Sequence, residues 1–92
     1  MDKQKILDEL VALLEANGVE VRRESFGGGG GGLCRVKGQT IFFIDEEASL
    51  AEKAAICAEA VSEVVNIEDI YIRPEVRECI LNNSKDKNKK EY

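Results

Sequence analysis

The chain has 92 residues, enough for one domain and too few for two. Its composition, 43% hydrophobic and 34% charged, is that of an ordered globular chain, and the absence of histidine excludes any histidine-based hydrolytic triad. A formal charge of −5, with no basic stripe interleaved with aromatics, argues against nucleic acid as a partner.

The spacing of Ile6, Leu7, Leu10, Val11 and Leu14 predicts a first helix from about Asp2 to Ala16, and Asn17-Gly18 stops it. Residues 19–24 follow, alternating apolar and polar side chains over the first four positions as a half-buried strand does. Six glycines follow, Gly27 to Gly32, and lead into Leu33-Cys-Arg-Val-Lys37. Gly38 marks a tight hairpin turn before Thr40-Ile-Phe-Phe-Ile44. With a two-residue turn, Cys34 and Val36 share a face with Ile41 and Phe43, while Arg35, Lys37, Phe42 and Ile44 occupy the other; a three-residue loop flips the assignment. A strand apolar on both sides is either central or covered from outside.

Ser49-Leu-Ala-Glu52 is a capping box in front of an alanine-rich stripe, so a second long helix starts there and ends near Asn66. Asp69–Ile72 is a short strand candidate, and Pro74 opens a last helix whose apolar side holds Val76, Cys79 and Ile80. The expected class is α+β, in the order α-β-β-β-α-(β)-α, with an antiparallel meander packed against helices. Residues 1–82 make the domain. Residues 83–92, with four lysines against Asp86 and Glu91, make a flexible polar tail. If the long helices cover one sheet face, Phe42 and Ile44 on the other need cover. The C-terminal helix or a second copy of the chain can supply it; in the second case Phe42 and Ile44 are the candidate interface residues of a homodimer, and the glycine loop is the expected contact surface for a protein partner.

The glycine run is the feature that asks for a reason, because ordering six glycines is entropically costly. Backbone N–H groups of Gly27, Gly28, Gly29, Gly30, Gly31 and Gly32, with Arg22 and Arg35 nearby in sequence, form a candidate anion or nucleotide site. The run lacks the Lys-Ser/Thr of a P-loop and precedes a strand, so the plainer reading is a flexible hairpin loop. Cys34 is a candidate reactive thiol beside those donors and Arg35. The plainer reading is that it packs inward beside Val36. Asp45, Glu46 and Glu47 lie before a helix N-terminus, where negative charge is favourable without catalysis.

No catalytic set is legible, and no cofactor or metal is expected, because the cysteines at 34, 57 and 79 lack close metal-ligand spacing. Their odd number, the charges interrupting the first apolar stretch, and the absence of an apolar run of spanning length predict a reducing, cytoplasmic address and no membrane partner. The helix–β–β–β–helix–β order is similar to the core of the restriction-endonuclease-like nucleases. Those place acidic residues on the second and third strands, where this chain has none, so no nuclease is implied. Gly30–Gly38, Asp45 and Asp69–Glu78 resemble a group of short uncharacterised bacterial proteins. That resemblance implies a bacterial origin and points to Gly30–Arg35 and Pro74–Arg77 as shared positions. Taken together, these features predict a small non-enzymatic interaction domain that self-associates; anion binding and thiol chemistry at Cys34 are the alternatives.

Overall fold

The first helix ends as its sequence dictates. In the computed structural model, which describes residues 1–28 and 31–84, α1 runs Lys3–Ala16 with Asp2 accepting the Lys5 N–H at its start. Gly18 adopts φ +84°, and the Val19 and Gly18 amides return to the Leu14 and Glu15 carbonyls at 3.1 Å. This is a Schellman close, and it turns the chain sharply into the sheet. The lysine tail from 85 onward lies outside the described residues, as do Gly29 and Gly30.

Three strands follow: β1 Glu20–Glu24, β2 Gly32–Val36 and β3 Gln39–Asp45. The class is α+β, but the sheet is mixed and its order is β1-β3-β2. β2 and β3 form the expected hairpin around Lys37-Gly38, whose φ values of 52° and 82° are those of a two-residue primed turn. β1, however, lies parallel to β3, with Val21 beside Phe42. The meander expected for the first two strands is therefore absent. β3 is thus the central strand, the place where a strand apolar on both faces is expected.

α2, Leu50–Val64, starts at the expected capping box: Ser49 Oγ accepts the Glu52 N–H at 3.1 Å, and Glu52 accepts the Ser49 N–H at 3.3 Å. α3, Pro74–Asn82, begins on its proline. Asp69–Ile72 is not a strand. The segment instead places Ile72 in the core with Val76 and Ile80.

All three helices share one core with the Phe42 side of the sheet. Leu7, Leu10, Leu14, Cys57, Val61, Val76 and Ile80 surround Phe42 and Ile44, and Val21 and Leu33 pack at its margin. Phe42 is 1% exposed and Ile44 is 3% exposed. The two residues expected to need cover thus receive it from the chain's own helices. The sheet face left open is the opposite one.

Candidate functional site

The open face is built by the odd-numbered residues of β3 and their neighbours. Ile41 is buried there and Phe43 half-buried, flanked by Glu20 and Arg22 of β1 and by Gly32 and Cys34 of β2. Phe26 folds back over this face and meets Phe43 edge-on, with ring centroids 5.8 Å apart. Phe26 remains 41% exposed and Val36 45%. Phe26, Gly31, Gly32, Leu33, Cys34 and Phe43 line a shallow depression of about 220 Å³.

The strand order explains the glycine run. β1 ends beside the end of β3, and the chain must then pass β3 to reach β2 on its far side. That crossing spans two strand spacings, about 10 Å, directly over the backbone leaving β3. A Cβ on Gly31 would lie 2.9 Å from the Phe43 carbonyl oxygen, and one on Gly28 would lie 3.6 Å from that of Glu47. Gly27, Gly28, Gly31 and Gly32 all have positive φ, between 82° and 127°. At Gly31, close approach and left-handed backbone together require glycine. The flexible hairpin loop expected between β1 and β2 is thus a crossing over β3.

Asp45 fastens the crossing. Its buried Oδ1 accepts the Phe26 N–H at 3.0 Å and the Glu47 N–H at 2.9 Å. Asp45 therefore holds the loop and the β3–α2 turn, while Ser49 and Glu52, not the acidic cluster, cap α2. Glu46 pairs with Lys53 at 3.6 Å.

The proposed anion-binding set is not brought together. Arg22 lies on the open face of β1 and donates to Glu20 at 2.6 Å; that hydrogen bond, with the Glu20 charge, holds its pKa above the ordinary value. Arg35 projects from the helix-side face of β2, on the opposite edge strand. Between them stands β3, with Arg22 level with Phe43 and Arg35 level with Thr40, and the Phe26 amide just ahead of the glycines is already taken by Asp45. Gly29 and Gly30 lie outside the described residues.

Cys34 is exposed on the open face rather than packed inward. Among the described residues the outer face of the hairpin has no helix over it, so the alternation that pairs Cys34 with Ile41 points the thiol outward. Cys57 is buried, and desolvation pushes its thiol up to about 12. Cys79 is partly buried and is raised by the same cause.

Phe26 is the site residue that sequence reasoning missed. Its signal was present: an aromatic immediately ahead of a glycine run can fold back onto the strand that the run crosses. A second, broader groove of about 630 Å³ lies between α1 and the segment before α3. It is lined by Leu13, the exposed Tyr71, and Glu9 and Arg73, which pair at 2.9 Å.

Among the described residues no group of three His, Cys, Asp or Glu side chains converges as a metal site, and no helix is long and apolar enough to cross a membrane. No family model, curated protein or solved structure matches the chain.

Proposed function

We propose that this chain is a small non-enzymatic interaction domain that self-associates through the β2 side of its sheet. The observation that carries the reading is the open face. Phe26 and Phe43 meet beside Cys34, Val36 continues the apolar stripe along the edge strand, and among the described residues no helix lies over it. Removing such a patch from water supplies the driving force for association, at roughly 25 cal/mol per Å². A three-stranded sheet covered on one face only is a shape that a second layer or a longer sheet completes.

Sedimentation across protein concentration tests this. The wild-type chain is expected to dimerise, and the double variant Phe26→Ser with Val36→Ser to dimerise at least tenfold more weakly. The Phe26 backbone bond to Asp45 survives both changes, so the fold is retained. A wild-type chain that stays monomeric at several hundred micromolar contradicts the reading.

The alternative of a reactive thiol draws on one observation, the exposure of Cys34 beside the depression under Phe26. Alkylation kinetics test it: labelling of Cys34 faster than that of an unstructured peptide thiol supports the reading, and equal or slower labelling opposes it.

A further inference from the structure

A strand directs the backbone groups of alternate residues to opposite sides. The Glu46 N–H donates to the Glu24 carbonyl at 2.9 Å, so the even-numbered set of β3 and its extension faces β1. Gln39, Ile41 and Phe43 therefore face β2. Their partners Val36, Cys34 and Gly32 point their N–H and C=O groups back at β3. The two-residue turn closed by Val36 and Gln39 demands the same parity. Leu33 and Arg35 consequently aim their backbone groups outward, to a side where no strand lies among the described residues.

The two sheet edges are unequal. β1 carries charge at four of its five positions, Glu20, Arg22, Arg23 and Glu24, the usual guard against edge pairing. β2 carries only Arg35 and has no proline, and Cys34, Arg35 and Val36 are exposed. The β2 edge is also polarised. Arg35 and Lys37 sit toward its C-terminal end, while its N-terminal end adjoins the corner where β3 leaves the sheet, at which Glu47 is exposed. An antiparallel second copy sets the basic end of each edge beside the acidic end of the other. A parallel copy sets like ends together.

We propose that a second copy of this chain adds antiparallel to β2 about a two-fold axis at Cys34, joining the two sheets into one of six strands. The proposal rests on the self-association argued above and names its surface and register. Leu33 and the partner's Arg35 then exchange both backbone bonds, as do Arg35 and the partner's Leu33. An axis at Arg35 instead sets two guanidinium groups directly opposite one another. With the axis at Cys34, the two thiols form a non-hydrogen-bonded cross-strand pair, with Cα atoms about 4.5 Å apart. Val36 of each copy then lies opposite the other's Gly32, the neighbour of Phe43, so the open-face clusters meet across the seam and part of each leaves the water.

Amide hydrogen exchange and sedimentation on the full chain test this. Raising concentration into the dimer is expected to slow exchange at Leu33 and Arg35 at least tenfold, while Cys34 and Val36, already bonded to β3, change little. Arg35→Pro removes an outward N–H without touching the hairpin, so it is expected to fold and stay monomeric. Arg35→Ala keeps that N–H and still dimerises. Bismaleimidoethane, a short thiol cross-linker, is expected to trap a dimer through Cys34 that Cys34→Ser abolishes. If the dimer survives Arg35→Pro and the Leu33 and Arg35 amides still exchange fast, self-association stands and the β2 edge is overturned. A chain that is monomeric throughout overturns both.

Discussion

Asp45 accepts the Phe26 amide at 3.0 Å across nineteen residues of chain, and this bond fastens the glycine crossing to the end of the central strand. The same oxygen takes the Glu47 N–H at 2.9 Å, so one buried carboxylate sets both the path into β2 and the path out of β3. Asp45→Ala leaves two backbone donors without that acceptor and is expected to cost about 2–3 kcal/mol. Asp45→Asn retains an acceptor oxygen and is expected to cost about 1 kcal/mol. Urea unfolding checks the order; an alanine variant as stable as wild type contradicts the role given to Asp45.

Gly31 and Gly32 separate steric demand from backbone demand. Both have positive φ, but only at Gly31 does an added Cβ meet backbone, the Phe43 carbonyl oxygen at 2.9 Å. Gly32→Ala is expected to cost about 1 kcal/mol and Gly31→Ala roughly 2–4 kcal/mol, the excess coming from displacement of β3. Denaturant midpoints for the two variants decide it, and equal midpoints count against the tight crossing.

The pH dependence of stability follows from Cys57. Burial raises its thiol to about 12 in the folded chain, from 9.0 when exposed. The folded state therefore holds this proton more tightly than the unfolded state does. The contribution is fully present below about pH 9 and declines as pH rises towards 12, by an amount on the order of a few kcal/mol. Cys79, shifted in the same direction, adds to the decline. Cys57→Ala is expected to flatten the stability profile between pH 9 and 11 relative to wild type. An unchanged slope contradicts it.

Phe26 screens one side of the depression that Cys34 lines. Phe26→Ala is expected to cost about 0.5–1.5 kcal/mol for the lost ring contact and to raise the iodoacetamide labelling rate of Cys34. In the folded wild-type chain the labelling order is expected to be Cys34 first, Cys79 later and Cys57 last. Peptide mass mapping after timed alkylation reads both outcomes, and Cys57 labelling as fast as Cys34 removes the burial argument.

The helices were legible because their signals are local. Asp2, Gly18, the Ser49–Glu52 pair and Pro74 each act within one turn of where they stand, and the apolar spacing of Leu7, Leu10 and Leu14 needs no distant partner to be read. The hairpin at Lys37-Gly38 was legible for the same reason, and a strand apolar on both sides offered a central place as one of two readings, though the expected meander put it at the edge. Strand order was not. Whether β1 lies beside β2 or beyond β3 depends on a crossing made of glycines, which have no side chains to reveal what they pass. The same blindness reversed the sheet faces: Phe42 and Ile44 were apolar enough to need cover, but only the chain path shows that the helices provide it. Leu33, which shares the Phe42 face, held part of the answer. Asp69–Ile72 has the residue types of a strand, but Ile72 is taken into the core with Val76 and Ile80, a distant contact that no local pattern records.

Backbone amide exchange at Leu33 and Arg35, followed from low to high micromolar protein, tests the edge-pairing account most directly. The account gives slowing at these two residues in step with dimer formation, while protection at their neighbours Cys34 and Val36 is unchanged. Exchange that stays fast at both positions in a sample shown by sedimentation to be dimeric would contradict it.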